Sequence, residues 1–392
     1  MKSANSLMSG LGTTVFEVMS GLARQHQSVN LGQGFPDDKG PEEVRRAAAE
    51  YLMDGHNQYP PMMGIPELRQ AVAEHAKRFQ GLDVDWQSEV LVTSGATEAL
   101  ADCLFGLIEP GDEVVLIEPL YDSYLPIVRR AGGIPKLVRL EPPTWRLPRE
   151  ELSAAFSDRT KLILFNTPMN PCSKVFDREE LEFIAALCLK HNTYAVCDEV
   201  YEHIIFDDRR HRSIMTLPGM RERTARIGSA GKSFSVTGWK VGYVTAPPDM
   251  MKSIAKTHQF MTFTTPPNLQ WGAATGLRLG DDYFDSLSSE MQRKRDRLAD
   301  GLAQVGFDVL PSQGTYFVTT DFRPLGFNGT DDDFCRYITS EAGVTAVPVS
   351  AFYDDPAVAP RHFIRFCFCK NDSTLDAAIE RLSKYFRRQV NV

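Results

Sequence analysis

The chain contains no run of 18 apolar residues, and its opening "MKSANSLMSGLGTTVFEV" has no apolar core of the signal-peptide kind, so the expected location is the cytoplasm, with no membrane partner. Basic residues are too few for a nucleic-acid surface. Against 51 acidic residues there are 43 Lys and Arg, a formal net charge of −8, whereas a chain that neutralises phosphates carries a basic excess. Cysteine is sparse and odd in number, 7 in all, which argues against a disulfide framework. Cys367 and Cys369 in "RFCFCK" would share one face of a strand, yet no second Cys or His pair at ligand spacing accompanies them. Core packing is therefore expected, and no metal. Internal repeats, low-complexity segments and a flexible linker are also missing.

What is present is enough chain, 392 residues, for one large domain and a smaller one. From Glu89 onward, apolar runs ("EVLVTS", "DEVVLIEP", "TKLILFNTP", "TYAVCDEVY") alternate with amphipathic stretches ("GATEALADCLFGLI", "REELEFIAALCLKH"). Strand–helix alternation of this kind predicts an α/β fold with a mainly parallel sheet covered on both faces. Beyond about Asp281 a long polar helix leads into "TYFVTTDF", "VTAVPVS" and "HFIRFCFCK", the pattern of a smaller α+β unit. The expected division is an N-terminal arm over 1–35, a large domain over 36–281 and a small domain over 282–392.

The stretch "GSAGKSFSVTGWKVGY", residues 228–243, admits two chemistries. A phosphate-cradling NTPase loop needs glycine five residues before the one preceding its lysine, and that position is Arg226; "FSVTGWKVGY" is also a poor helix start. Two lysines suit a different purpose. A partly desolvated lysine near a second cation has a lowered pKa and forms a Schiff base with an aldehyde, a role for Lys232. Ser229 and Lys240 can grip a phosphate on the same group. Pyridoxal phosphate is the cofactor so implied, and its other requirements can be sought. Asp198 ends the apolar strand "AVCD" and can pair with the ring nitrogen. Asn170 in "NTPMNP" and Tyr201 can donate to the phenolic oxygen. Ala96 and Thr97 open the helix after "EVLV" and offer free N–H groups to the phosphate.

These stretches, with "VNLGQGFPD", "NQYPPMMGIPELRQAVA", "EPLYDSY", "CDEVYEHIIFD" and "AVPVSAFY", run nearly end to end. They resemble class I pyridoxal-phosphate aminotransferases of fold type I, in the kynurenine, glutamine and methionine aminotransferase branch. The resemblance implies a seven-stranded sheet, with Lys232, Asp198 and Tyr201 as catalytic residues and Tyr121 stacked on the cofactor ring. It implies a homodimer in which Tyr59 reaches the partner's cofactor phosphate and the segment from Phe263 to Thr265 crosses the interface. Arg365 would clamp the substrate α-carboxylate with Asn170, and Gly34 would leave room for the substrate. Val15 and Phe263 would stand at the pocket rim with Leu11, Phe16, Tyr121 and Thr264. None of these rim residues is basic, so a large neutral amino donor (methionine, glutamine or an aromatic amino acid) is expected, with a 2-oxo acid as acceptor. Transamination of N-succinyldiaminopimelate and carbon–sulfur β-elimination are the alternatives on the same fold. The histidines, His258 among them, are expected to be surface or packing residues. "KRFQGL" and "QRKRDRL" read as solvated helix faces.

Overall fold

The computed structural model describes residues 2–390. Its centre is a seven-stranded sheet built from β1 (Val90–Ser94), β2 (Glu113–Glu118), β3 (Ile134–Arg139), β4 (Thr160–Asn166), β5 (Tyr194–Asp198), β6 (Thr224–Ser229) and β7 (Val241–Thr245). The spatial order is β1-β7-β6-β5-β4-β2-β3. Strand β7 runs antiparallel to both of its neighbours, and every other pairing is parallel. Strands β2 and β6 are buried along their whole length, as expected when helices cover both faces of a sheet.

The helices that frame the sheet and the site are α1 (Val15–His26), α2 (Glu42–Asp54), α3 (Pro66–Gln80), α4 (Gly95–Leu107), α5 (Tyr124–Arg130), α6 (Arg178–Lys190), α7 (Pro248–Met261) and α8 (Pro267–Leu277). Their ends follow from local chemistry. Pro66 opens α3 where no N–H is needed, and Gly81 closes it at φ 69°, a conformation costly to residues with a Cβ. Asp177 and Glu180 form a reciprocal cap at the start of α6.

After α9 (Asp281–Val305), a second sheet takes over, with β8 (Asp308–Val309), β9 (Phe317–Asp321), β10 (Val347–Pro348) and β11 (Phe363–Cys367) in the antiparallel order β10-β11-β9-β8, packed with α10 (Asp372–Val390). Val29–Asn30 pairs with Val344–Thr345, so the segment after α1 is stitched to this later part of the chain. Cys367 and Cys369 are buried there with their Sγ atoms 3.1 Å apart. Among the described residues no helix is long and apolar enough to cross a membrane.

Two stretches expected to be solvated faces are partly so and also form seams with distant segments. Arg78 of "KRFQGL" binds Asp281 and the Leu279 carbonyl, with its guanidinium over Phe79 and Phe284. In "QRKRDRL", Arg293 and Arg297 tie α9 to Asp372 and Asp376 of α10, and Arg295 binds Asp207. The partners lie about 80 to 200 residues away, beyond the reach of a helical-wheel reading. His258 is fully buried.

Arg226, which occupies the position a phosphate loop would give to glycine, is buried in β6 between Glu199, 2.5 Å from its Nε, and Glu202. Burial alone would raise the Glu199 carboxyl, but Arg226 and His211 pull it down to about 2. Beside this network His75 and His203 face each other through their Nε2 atoms at 2.7 Å. Burial, with Arg226 adding to it, holds His203 down at about 3 and His75 well below its usual range. Two predictions follow from these buried charges. Replacing Arg226 by Met strands two carboxylates in the interior and should lower stability by about 3–5 kcal/mol in urea melts. The histidines stay neutral in the fold while the unfolded chain takes up protons below its pKa near 6.5, so stability should decline as pH falls from 6.5. His203→Phe should flatten that slope between about pH 6.5 and 5; an unchanged slope would remove the histidines as its cause.

Candidate active site

The carboxyl ends of three adjacent strands converge. Asn166, Asp198 and Ser229 end β4, β5 and β6, with Asn166 paired in register to Asp198. Ligands in open α/β sheets bind beyond strand ends of this kind, and here a cavity of about 360 Å³ opens over them. Its walls include Gly34, Ala96, Thr97, Tyr121, Asn170, Asp198, Tyr201, Ser229, Lys232, Lys240 and Arg365, eleven of the residues singled out from the sequence. Others, Leu11 and Thr264 among them, stand apart within one chain. Val15 lines a neighbouring cleft that shares Phe16 with the cavity. Tyr59 and Phe263 are exposed outside both, with ring centroids 5.6 Å apart.

Asp198 is only 5% exposed. Its Oδ2 accepts the Tyr124 hydroxyl at 2.7 Å, and its Oδ1 accepts the Val200 N–H at 3.3 Å. Asn166 locks the backbone by donating to the Asp198 carbonyl at 2.7 Å, and it accepts the Asn170 N–H at 2.7 Å. Burial raises the Asp198 carboxyl to about 6, against the Tyr124 and Val200 hydrogen bonds and the charge of Lys232. A carboxylate so placed favours a cationic group opposite it.

Lys232 follows β6 in the short helix Ala230–Ser233, whose last turn is fixed by the Tyr316 hydroxyl donating to the Lys232 carbonyl at 2.5 Å. Its Nζ lies 5.4 Å from the centroid of the Tyr201 ring. Burial lowers its pKa, opposed by Cys369, Cys367 and Asp198 and reinforced by Arg365. Such an amine keeps more of its free-base form at neutral pH than an exposed lysine does.

The third group is a cradle at the start of α4. Lys240 adopts a left-handed conformation, φ 54°, after the turn Thr237–Trp239. A Cβ on Gly95 would lie 3.1 Å from its Cε and Nζ, so the ammonium sits over the helix N-terminus. A Cβ on Gly242 would lie 2.6 Å from the Gly95 carbonyl carbon and 2.7 Å from the Ala96 nitrogen; glycine there lets β7 approach the turn. Helix N–H groups, an ammonium and the Ser229 and Thr97 hydroxyls make this a site for a phosphate.

Arg365 of β11 is fully buried, with Nη1 2.5 Å from Asn170 Oδ1 and Nη2 3.0 Å from the Gly32 carbonyl. Its Nε has no partner. The Phe317 ring lies 3.8 Å from the guanidinium carbon, with Phe352 and Phe16 further out. Burial lowers its pKa to about 10 while Cys367, Tyr201 and Asp122 oppose the shift, so it remains a cation at neutral pH. A side chain at Gly34 would collide with the Phe317 ring. Gly34 thus lets the ring that covers the arginine come close, and both residues line the cavity.

The class I and II aminotransferase family matches residues 26–382. The chain belongs to that family. It is 41% identical to the methionine aminotransferase of Escherichia coli (strain K12) over 372 residues, covering 95% of this chain and 96% of that protein. It is 43% identical over 380 residues, again 95% and 96% of the two chains, to a probable N-succinyldiaminopimelate aminotransferase of Mycobacterium tuberculosis. Among solved structures, an Escherichia coli protein with a methionine aminotransferase function superposes with a TM-score of 0.94 at 40% identity, covering 98% of this chain and all of that one. The protein is a pyridoxal-phosphate-dependent aminotransferase of fold type I. The residues present fit that cofactor: a shielded carboxylate, a lysine of lowered pKa and an anion cradle surround one cavity.

Tyr124, Asn166, Phe317 and Tyr316 escaped the sequence reading as site residues. Tyr124 and Asn166 sat inside quoted motifs, "YDSY" and "FNTP", where a polar group at the end of a buried strand or the start of a helix was the available signal. Gly242→Ala should push β7 from the α4 turn and weaken pyridoxal phosphate binding at least tenfold in an absorbance titration, with the far-ultraviolet circular dichroism unchanged. Unaltered binding would show that the close approach has no bearing on the cradle.

Proposed function

We propose that this aminotransferase takes a large neutral amino acid as donor (methionine, glutamine or an aromatic one) and a 2-oxo acid as acceptor. The observation that carries this is the count of cations: those lining the cavity are Lys232, Lys240 and Arg365. The first two suit the cofactor, and Arg365 suits the α-carboxylate. No cation remains for a second carboxylate, whose burial unpaired would be costly. The side-chain space is bordered by Phe16, Tyr121 and Phe317.

In this reading the N-terminus of the helix Gly95–Leu107, with Ser229 and Lys240, holds the cofactor phosphate. Asp198 would keep the ring nitrogen protonated, Asn170 and Tyr201 would donate to the phenolic oxygen, and Tyr121 would cover the ring. When bound, pyridoxal phosphate supplies an aldehyde that joins the amino group and a ring that takes up electrons from a broken Cα–H bond. Arg365 and Asn170 grip the α-carboxylate in a planar two-point contact, which fixes which bond on Cα stands over the ring. Nζ of Lys232 would hold the cofactor aldehyde in the resting enzyme and, once freed by the incoming amine, would serve as the general base that carries the proton from Cα to the cofactor carbon two atoms away, a step worth roughly 10²–10⁴-fold. Its lowered pKa suits that exchange. The phenylalanines around Arg365 exclude water and strengthen its pull on the carboxylate.

We propose the same division of labour along the chain as the sequence suggests: an arm over 1–35, a cofactor-binding domain over 36–281 and a small domain over 282–392, in a cytoplasmic homodimer. Supporting the dimer is a set of exposed apolar side chains around the displaced residues: Tyr59 at 82%, Phe260 at 81%, Met53 at 80% and Phe263 at 41% exposure. Tyr59 and Phe263 would then complete the partner's site, with Val15 at its rim. An active monomer in sedimentation would overturn this.

The substrate is tested by single-turnover half-reactions, one amino acid at a time. Methionine, glutamine or an aromatic amino acid should react fastest. Fastest reaction with aspartate or N-succinyldiaminopimelate would contradict the neutral pocket, and pyruvate and ammonia from sulfur-linked substrates alone would mark a lyase. Borohydride should fix the cofactor on Lys232; a label on Lys240 would refute the assignment.

A further inference from the structure

The turn that opens the helix Gly95–Leu107 carries a negative charge of its own. Glu98 folds back so that Oε2 accepts the Ser94 N–H, and its Oε1 lies 2.9 Å from Nδ1 of His258. An anion beside an anion-binding helix end is expected to oppose that binding.

His258, on the helix Pro248–Met261, is fully buried. Its Nε2 lies 3.1 Å from the Met62 carbonyl oxygen. A carbonyl oxygen only accepts, so Nε2 carries a hydrogen; Nδ1 faces a carboxylate that already accepts the Ser94 N–H, so it donates as well. Two acceptors thus face the two ring nitrogens. One helical turn beyond Glu98, Asp102 has an oxygen 3.7 Å from Nδ1, and neither of its carboxyl oxygens has a hydrogen-bond partner. Burial and the charge of Glu98 push Asp102 up to about 9, so at neutral pH it is a neutral acid. Burial would also raise Glu98, but the hydrogen bonds from His258, Thr262 and Ser94 hold it below its usual range.

The same ring joins three segments of the site. Met62 belongs to the loop that bears Tyr59, Glu98 to the phosphate turn, and the His258 carbonyl accepts the N–H groups of Thr262 and Phe263 at 3.0 and 2.8 Å. We propose that His258 is a positioning residue for the cofactor phosphate: its charged ring masks Glu98, so that Glu98 can pin the start of the helix without repelling an anion held at Ala96 and Thr97. The masking also fixes the loop bearing Tyr59 to that turn through Met62. This rests on the reading of the helix N-terminus as the phosphate site.

The test compares dissociation constants of pyridoxal phosphate, and of inorganic phosphate as its competitor on the apoenzyme, for wild type, His258→Gln, Glu98→Gln and the double variant. His258→Gln should weaken both ligands about tenfold or more, the size expected for one unmasked charge several ångströms from an anion in surroundings of intermediate polarity. Removing the exposed charge should restore affinity, so Glu98→Gln in the His258→Gln background should return both constants to within about threefold of wild type. A double variant as weak as His258→Gln, or weaker, would make the histidine a packing residue and overturn the proposal. Leu382→Ala, a core change far along the chain, should lower the melting temperature without moving either constant. Lys240→Gln separates the two levels: unchanged phosphate affinity there refutes the phosphate site itself, whereas weakening there with none in His258→Gln refutes the masking alone. Should His258→Gln fail to fold, nitrogen-15 NMR of the histidine rings in wild type decides, since the proposal requires hydrogens on both nitrogens of His258. A neutral ring, or a stoichiometric metal ion held by Glu98, Asp102 and His258 in the purified protein, would contradict it.

Discussion

Taking a carboxylate out of water with no cation in contact is among the costlier things a fold can do, and Asp198 is such a group. Its place is set by register: Asn166 opposite it on the next strand holds its carbonyl, and Tyr124 and the Val200 N–H hold its oxygens. The two donors on the carboxylate keep the side chain in one orientation. They are too few to bring its pKa back to that of an exposed acid, and burial leaves it near 6. The surplus is a standing preference for a cation in the cavity, which a protonated pyridine nitrogen would supply. Much of the surrounding architecture, from the parallel strands that end together to the helix that brings Tyr124 against β5, holds that one charge in place.

Around it the same device recurs at different depths. Arg226 is sunk between Glu199 and Glu202 one layer beneath the site, Arg365 between Asn170 and the Gly32 carbonyl at its wall, and Lys240 above the start of α4 at its mouth. For Arg226 and Arg365 the usual hydration has been replaced by fixed partners, whereas Lys240 stays exposed to solvent. Fixed dipoles and charges need no rearrangement during a reaction, which is why preorganised polar groups stabilise developing charge so effectively. Arg226 keeps one unpartnered nitrogen, Nη1, deep in the interior, and Arg365 keeps Nε at the cavity wall, where its faces are shielded by phenylalanine rings.

Much of this was legible in the sequence because the site is built from strand ends and helix starts. An apolar run that closes on an acid, as "AVCD" does, announces a charge delivered to a sheet edge, and "TSGATEAL" announces a helix N-terminus directly after a strand. Lys232 and Lys240 stood out because they broke the pattern of a phosphate loop. What stayed hidden depends on contacts between distant segments. Tyr124 differs in nothing local from Tyr121, yet one reaches Asp198 from 74 residues away and the other lines the cavity. That the arginines of "QRKRDRL", exposed as they are, also meet the aspartates of α10, and that the Phe317 ring packs against Gly34, could be seen only once distant segments were laid together. His258 gave no periodic signal at all, since its partners come from a helix and a loop more than 150 residues earlier.

The central claim is that the Asp198 charge serves the chemistry and the cradle at α4 serves the grip. In Asp198→Ala, the rate of a single-turnover half-reaction at saturating amino acid and the dissociation constant of pyridoxal phosphate can be read from the same absorbance titration. The account predicts a fall in rate of several orders of magnitude, with cofactor affinity changed about tenfold or less. Equal losses in rate and affinity would contradict it, because Asp198 would then only hold the ring in place.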